Sequence, residues 1–167
     1  MKSTQINQKI RRLAWIYVFL LIWIILFKMN YPWEIRNMIH QRHINLYPFQ
    51  YLGVIPYLRS EILNNVVIFI PLGAYLGMLR LPAARAILLG TGFSLVLEIM
   101  QWVLAIGVSD LTDLITNTTG TVLGLLGYWF LSRIFRNREK LDRRLTTLAS
   151  LCTLLLIFFL FTLRILN

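Results

Sequence analysis

The sequence predicts an all-α, polytopic membrane protein with five transmembrane helices. Of its 167 residues, 57% are hydrophobic and only 14% are charged, whereas soluble domains carry charges on about a quarter of their residues. The apolar residues are gathered into five long runs that lie between charged residues. Composition and patterning together exclude an ordinary water-soluble domain.

The five runs are long enough to cross a bilayer. A hydrocarbon core of about 30 Å needs about 20 helical residues at about 1.5 Å each. The first run is short, but Arg12 and Lys28 can extend their stems to the headgroups. The third run contains a single acid, Glu98. The predicted spans lie near residues 13–28, 62–79, 86–106, 114–132 and 145–163.

The distribution of basic residues predicts the orientation. With the N-terminus inside, the inner segments hold 12 of the 17 Lys and Arg residues and the outer segments hold 5. Cytoplasmic loops carry such an excess, so the predicted topology is N-in/C-out. The net charge of +10 is therefore mainly a topology signal with some attraction to acidic membrane lipid, and it does not indicate a nucleic-acid partner.

This topology divides the chain into four parts. A cytoplasmic N-terminal segment and a basic cytoplasmic loop flank the main membrane domain, and a fifth helix follows the loop. Cys152, the single cysteine, falls inside that fifth helix and cannot form an intrachain disulfide. The parts are residues 1–12, the membrane domain 13–132, the basic loop 133–144 and the fifth helix 145–163.

The first outer loop is rich in proline and aromatic residues, which favours the membrane interface. Its apolar residues near helical spacing predict a short interfacial helix between Trp33 and Leu46. His40 and His43 are three residues apart, but no cysteine accompanies them, so we interpret them as interfacial polar residues and assign no metal. The helical spacing rests on Ile35, Met38, Ile39 and Leu46.

Glycines at helical spacing predict where the helices pack. Small residues four apart let two helix backbones approach closely. Such pairs occur in the second and fourth spans, and the same seams could join two copies into a homodimer. The predicted packing residues are Gly73, Gly77, Gly120, Gly124 and Gly127.

Six polar residues from neighbouring helices fall in the same outer half of the membrane. A carboxylate at depth costs several kcal/mol and must be protonated, paired or hydrated, which favours a functional or site-organising role for Glu98. Asp110 and Asp113 also fit a helix N-cap followed by a carboxylate version of the capping box. Gln101 and Asn117 also fit ordinary interhelical hydrogen bonds. The predicted polar cluster comprises Asn65, Glu98, Gln101, Asp110, Asp113 and Asn117.

Four segments, in order and spacing, resemble the VanZ-like family over about residues 43–131. They are Asn45-Leu46-Tyr47-Pro48-Phe49, the stretch from Asn65 to Gly73, Glu98-Ile99-Met100-Gln101, and Asp110-Leu111-Thr112-Asp113 followed by Asn117 and Gly120. The resemblance implies a small, multi-spanning protein of the bacterial cell envelope, in a family named for a member associated with low-level teicoplanin resistance. It carries over the six residues of the predicted polar cluster. Gly107 stands where family members often have an arginine, which removes a cationic partner for Asp110.

Three functions follow as hypotheses. The first is a non-enzymatic envelope protein that lowers susceptibility to glycopeptide antibiotics such as teicoplanin. The second is an intramembrane enzyme that acts on a lipid-linked cell-wall precursor, with Glu98, Asp110 and Asp113 as acid and base or as ligands of Mg²⁺. The third is a small transporter. The third and fourth spans lack a Lys, Arg or His to hold a phosphate, and no inverted repeat is visible. No cofactor is assigned.

Overall fold

A computed structural model describes residues 2–27, 41–49, 56–135 and 137–166. This part of the chain forms five helices and two short strands, so the all-α class is confirmed. Each predicted span overlaps one helix. The elements are α1 (Lys2–Phe27), β1 (Gln41–Asn45), α2 (Pro56–Met78), α3 (Ala83–Leu104), β2 (Ile106–Asp110), α4 (Leu111–Ile134) and α5 (Arg138–Leu166). By length and composition, Ser60–Met78 and Ala83–Leu104 can cross a membrane.

The two strands correct the prediction for the first outer loop. β1 and β2 pair in parallel, with Gln41 opposite Ile106 and Asn45 opposite Asp110. The predicted interfacial helix is therefore wrong over residues 41–45, and residues 33–40 lie outside the described part of the chain. Its helical spacing was a local pattern of four side chains, whereas the backbone of β1 finds hydrogen-bond partners in a strand more than 60 residues away. Tertiary pairing overrides such a weak local preference.

Glycines bring α2 and α4 into backbone contact. A Cβ atom at Gly73, Gly120 or Gly124 would overlap a backbone carbonyl oxygen of the facing helix. A Cβ at Gly77 would lie 2.7 Å from the Tyr128 ring. These four positions leave no room for a side chain, and α2 and α4 have the most extensive contact of any helix pair in the described structure.

Gly127 departs from the predicted packing seam. Apart from its two chain neighbours and the backbone of its own helix, no described atom would lie within 4 Å of a Cβ placed there. The reason is that the Tyr128 ring, and not Gly127, faces Gly77 of α2. Gly73, Gly77, Gly120 and Gly124 are covered by the facing helix of the same chain.

Two apolar clusters hold α1 and α5 against this pair. The Tyr17 hydroxyl of α1 also donates a hydrogen bond to the Ile68 carbonyl of α2. The preceding carbonyl, that of Val67, has no helical donor because Pro71 lacks an N–H. One cluster contains Leu21, Leu26, Phe69, Leu72, Leu97 and Ile106. The other contains Ile10, Tyr75, Met78, Tyr128 and Leu141.

A buried carboxylate that the sequence analysis did not single out ties α4 to the start of α5. The Tyr128 hydroxyl donates to Asp142 Oδ1 at 2.8 Å. Asp142 lies in the predicted cytoplasmic segment and is 2% exposed. Burial raises the pKa of Asp142 above its usual value, while the Tyr128 hydrogen bond and the nearby guanidinium groups of Arg80 and Arg138 act in the opposite direction.

The glycine seam gives a matched pair of variants. We expect Gly124→Ala to destabilise the protein by about 1–3 kcal/mol or more, because its Cβ meets a backbone carbonyl that cannot rotate away. Gly127→Ala meets open space and should leave stability unchanged or raise it by about 0.5–1 kcal/mol. Thermal unfolding in detergent measures both. Equal melting temperatures for the two variants would contradict the close approach of α2 and α4.

A second pair of variants tests Asp142. Asp142→Ala leaves the Tyr128 hydroxyl without its acceptor and should cost about 1–3 kcal/mol, whereas Asp142→Asn keeps an oxygen that can accept the bond. The raised pKa means that the folded protein disfavours the ionised form, so the parent loses stability as the pH rises from 3.8 through the folded-state pKa. The asparagine does not ionise.

We therefore expect Asp142→Asn to gain stability relative to the parent as the pH rises, as measured by melting temperatures at acidic and neutral pH. Asp142→Ala controls for loss of the hydrogen bond. The interpretation fails if both variants lose the same stability at every pH.

Candidate functional site

The site begins where the chain reverses after α3. Ala105 adopts a left-handed conformation (φ 55°), and its N–H caps the last turn of the helix. β2 then runs back along α3, so that Ser109 Oγ donates to the Glu98 carbonyl at 2.6 Å. The Asp110 N–H donates to Glu98 Oε2 at 2.9 Å. Glu98 precedes Ala105 by seven residues, which is about two helical turns. The start of α4 therefore lies beside α3 about two turns before α3 ends.

Asp110 is the N-cap of α4, in agreement with one of the two interpretations of the sequence. Its Oδ1 accepts the Thr112 N–H at 2.7 Å and satisfies one of the free donors of the first helical turn. In a capping box, the Asp110 N–H would bond to Asp113, but here it bonds to Glu98. Glu98 therefore fixes the residue that starts α4.

Asp113 connects α4 to α2. Asn65 Nδ2 donates to Asp113 Oδ1 at 2.8 Å. Asn65 lies about two turns before Gly73 on one face of α2, and Asp113 lies about two turns before Gly120 on one face of α4. The close contact of the two helices at these glycines therefore brings the two side chains together.

Asn45, at the end of β1, is a member of the site that the sequence analysis missed. Its Nδ2 donates to Asp110 Oδ2 at 3.1 Å, and its Oδ1 accepts the Tyr47 N–H at 3.1 Å in an Asx-turn. The Phe49 N–H then donates to Thr112 Oγ1 at 3.1 Å. The available signal was that Asn45 opens the first family-like segment. We call Asn45, Asn65, Glu98, Asp110 and Asp113 the carboxylate junction.

Two of the six predicted residues lie outside this junction. Gln101 Nε2 donates to the Ile25 carbonyl of α1 at 3.3 Å, and Asn117 Nδ2 donates to Ser94 Oγ at 2.9 Å. These are interhelical hydrogen bonds, the alternative left open for both residues. Within the described residues, Gln101 Oε1 and Asn117 Oδ1 are buried and have no hydrogen-bond partner.

Acidic side chains dominate the junction. Glu98 is only 5% exposed and lies near Asp113 and Asp110. Gly107 of β2 nevertheless has a basic neighbour, because Arg42 of β1 is paired with Gly107 in the register of the two strands. The Arg42 guanidinium carbon lies 5.7 Å from the centroid of the Trp102 ring. The neighbouring strand thus supplies an arginine next to the position where this sequence lacks one.

The Mg²⁺ site considered as an alternative would need its acidic ligands to converge. Among the described residues, no three His, Cys, Asp or Glu side chains converge as a set of metal ligands. Each carboxylate of the junction instead accepts a hydrogen bond from the protein. His43 is exposed on β1, and His40 lies outside the described part of the chain. The arrangement is suited to holding three helices and a strand together at one level.

Comparison with known proteins identifies the family. The chain is 39% identical over 160 residues to Protein VanZ of Enterococcus faecium, and the match covers 93% of this chain and 94% of that protein. No solved structure matches the chain. The family model described as VanZ/LLP1 matches residues 14–136, which include the whole carboxylate junction. The resemblance predicted from four ordered segments is therefore confirmed, and this chain belongs to the VanZ/LLP1 family.

Proposed function

We propose that this protein is a five-span protein of the bacterial cytoplasmic membrane that lowers susceptibility to glycopeptide antibiotics such as teicoplanin. The observation that carries the proposal is the 39% identity to Protein VanZ over 93% of the chain. The N-in/C-out topology follows from the excess of basic residues in the predicted inner segments.

α3 buries polar side chains and exposes apolar ones, and this arrangement supports the membrane placement. Its buried face contains Ser94, Glu98 and Gln101, whereas Leu88 is 72% exposed. α4 repeats the pattern, since it buries several hydroxyl and amide side chains and leaves Phe130 67% exposed. Large exposed apolar surfaces are unfavourable in water, but acyl chains accommodate them in a bilayer, where polar side chains must find partners inside the bundle.

The proposed topology places the carboxylate junction towards the outer surface. There it fixes β1 and the Asn45–Phe49 turn against the start of α4, and so determines which backbone faces the cell wall. We propose that this surface contacts an envelope component, either a lipid-linked cell-wall precursor or the glycopeptide itself. The hydrogen bonds accepted by all three carboxylates favour a role in organising the surface over a role in catalysis.

Acid–base catalysis by the three acids is the second candidate. It is favoured by one observation, the burial of Glu98 close to two further carboxylates. Such clusters occur in active sites. Catalysis would require the Glu98 carboxyl group to ionise, whereas the organising role requires only an oxygen that accepts a hydrogen bond, so variants at this residue distinguish the two roles.

Expression of the protein in a glycopeptide-susceptible host should raise the minimal inhibitory concentration of teicoplanin several-fold. The controls are the empty vector and Gly124→Ala, which is expected to disturb the packing of α2 and α4. The amount of protein in the membrane fraction is measured alongside. If the wild-type chain accumulates in the membrane and no cell-wall antibiotic changes in potency, the proposed role is excluded.

Substitution of Glu98 separates the organising and catalytic roles. Glu98→Gln keeps an oxygen that can accept the Asp110 N–H, so we expect it to retain most of the resistance. Glu98→Ala removes that acceptor, should cost about 1–3 kcal/mol and should reduce resistance. Glu139→Gln, an exposed change of the same type, is the matched control. If Glu98→Gln is as inactive as Glu98→Ala at equal protein levels, the charge itself is required and the catalytic candidate gains.

A further inference from the structure

A groove of about 320 Å³ lies between α1, α2 and α5. Its walls include Leu20 of α1, Pro71 and Met78 of α2, and Leu145 and Cys152 of α5. Cys152 is exposed, so the groove opens to the surroundings of the protein. Its volume falls at the lower end of the range of small-molecule sites, which is about 300–1,000 Å³.

The groove is almost entirely apolar. Apart from the Cys152 thiol, the polar groups among its lining side chains are the hydroxyls of Tyr17, Tyr75 and Thr153. The Tyr17 hydroxyl already donates to the Ile68 carbonyl. A hydrogen-bonding ligand would find few partners inside, whereas a hydrocarbon chain would lose no hydrogen bond on entering it.

Basic side chains lie at the end of the groove that the topology assigns to the cytoplasm. Arg80 follows Met78 by two residues, and Arg138 precedes Leu145 by seven, which is two turns along the same face of α5. Both guanidinium groups are exposed and lie close enough to Asp142 to act on its carboxylate. Asp142 and Glu139 are the acids beside these two arginines, and the exposed Lys140, Arg143 and Arg144 at the start of α5 leave an excess of positive charge at this end.

We infer that the groove binds one acyl chain of an anionic phospholipid from the cytoplasmic leaflet, with the headgroup phosphate between Arg80 and Arg138. The apolar walls accommodate the chain, and the two arginines select the charge, because guanidinium groups bind phosphate with paired N–H donors. The inference rests on the membrane placement proposed above and is independent of the antibiotic role. Binding measured with purified protein therefore separates failure of this inference from failure of that role.

Cys152 provides a direct readout, because it lines the groove and is the single cysteine of the chain. Purified full-length protein in a non-ionic detergent is titrated with phosphatidylglycerol or with phosphatidylcholine of identical acyl chains. The rate of Cys152 alkylation by N-ethylmaleimide is followed by intact-protein mass spectrometry. An acyl chain in the groove covers the sulfur, so we expect phosphatidylglycerol to slow alkylation several-fold at concentrations where phosphatidylcholine has little effect.

Charge variants test the headgroup site. We expect Arg80→Gln and Arg138→Gln each to raise the phosphatidylglycerol concentration for half-protection by about fivefold. Arg85→Gln is the matched control, because Arg85 is exposed at the same predicted membrane side but belongs to α3, which does not line the groove. It also controls for the effect of an anionic micelle on the thiol. Melting temperatures without lipid establish that the variants are folded.

Three results would overturn the inference. Equal protection by the two lipids would mean that the headgroup is not recognised. No protection by either would mean that the groove does not hold an acyl chain. An effect of Arg85→Gln as large as that of Arg80→Gln would mean that lipid follows the overall charge of the protein and not a site at the groove.

Discussion

A carboxylate buried among helices requires hydrogen-bond donors, and the backbone N–H of Asp110 meets that requirement for Glu98. This single bond fixes several other features. It returns the chain to α3 after the Ala105 turn, sets the level at which α4 begins, and leaves the Asp110 side chain to cap that helix and to accept from Asn45. Pairing of β2 with β1 and the hydrogen bond from Ser109 to the Glu98 carbonyl hold the returning chain at the same level.

The glycine contacts of α2 and α4 provide the second half of this arrangement. Because the two backbones touch at Gly73, Gly120 and Gly124, the side chains one or two turns towards the outer side are also brought together, and Asn65 reaches Asp113. Packing of small residues and pairing of polar residues are therefore coupled along one seam. The coupling explains how a protein with few polar side chains holds three acids at nearly the same level.

The two ends of the helix bundle have different chemistry. The end with the carboxylate junction, which the proposed topology places outside, contains a layer of paired acids and amides, whereas the other end has an apolar groove with arginines beside it. At the second end, the buried acid Asp142 accepts a hydrogen bond from Tyr128 and lies near basic side chains. In the proposed topology, the first end would present hydrogen-bonding surface to the cell wall and the second would present positive surface to acidic lipid, which fits the envelope role proposed for this VanZ/LLP1 family member.

The amino-acid sequence by itself determined the five helices, the small-residue seam, the family and the placement of the acids on neighbouring helices, because helical periodicity and hydropathy are local properties. It did not determine the β1–β2 pair, the role of Asn45 or the separation of Gln101 and Asn117 from the junction. Those features depend on contacts between residues far apart in the chain, and an amide can satisfy its donors equally well on α1, as Gln101 does, or on a neighbouring acid. Which of these partners it meets is decided only when the helices have packed.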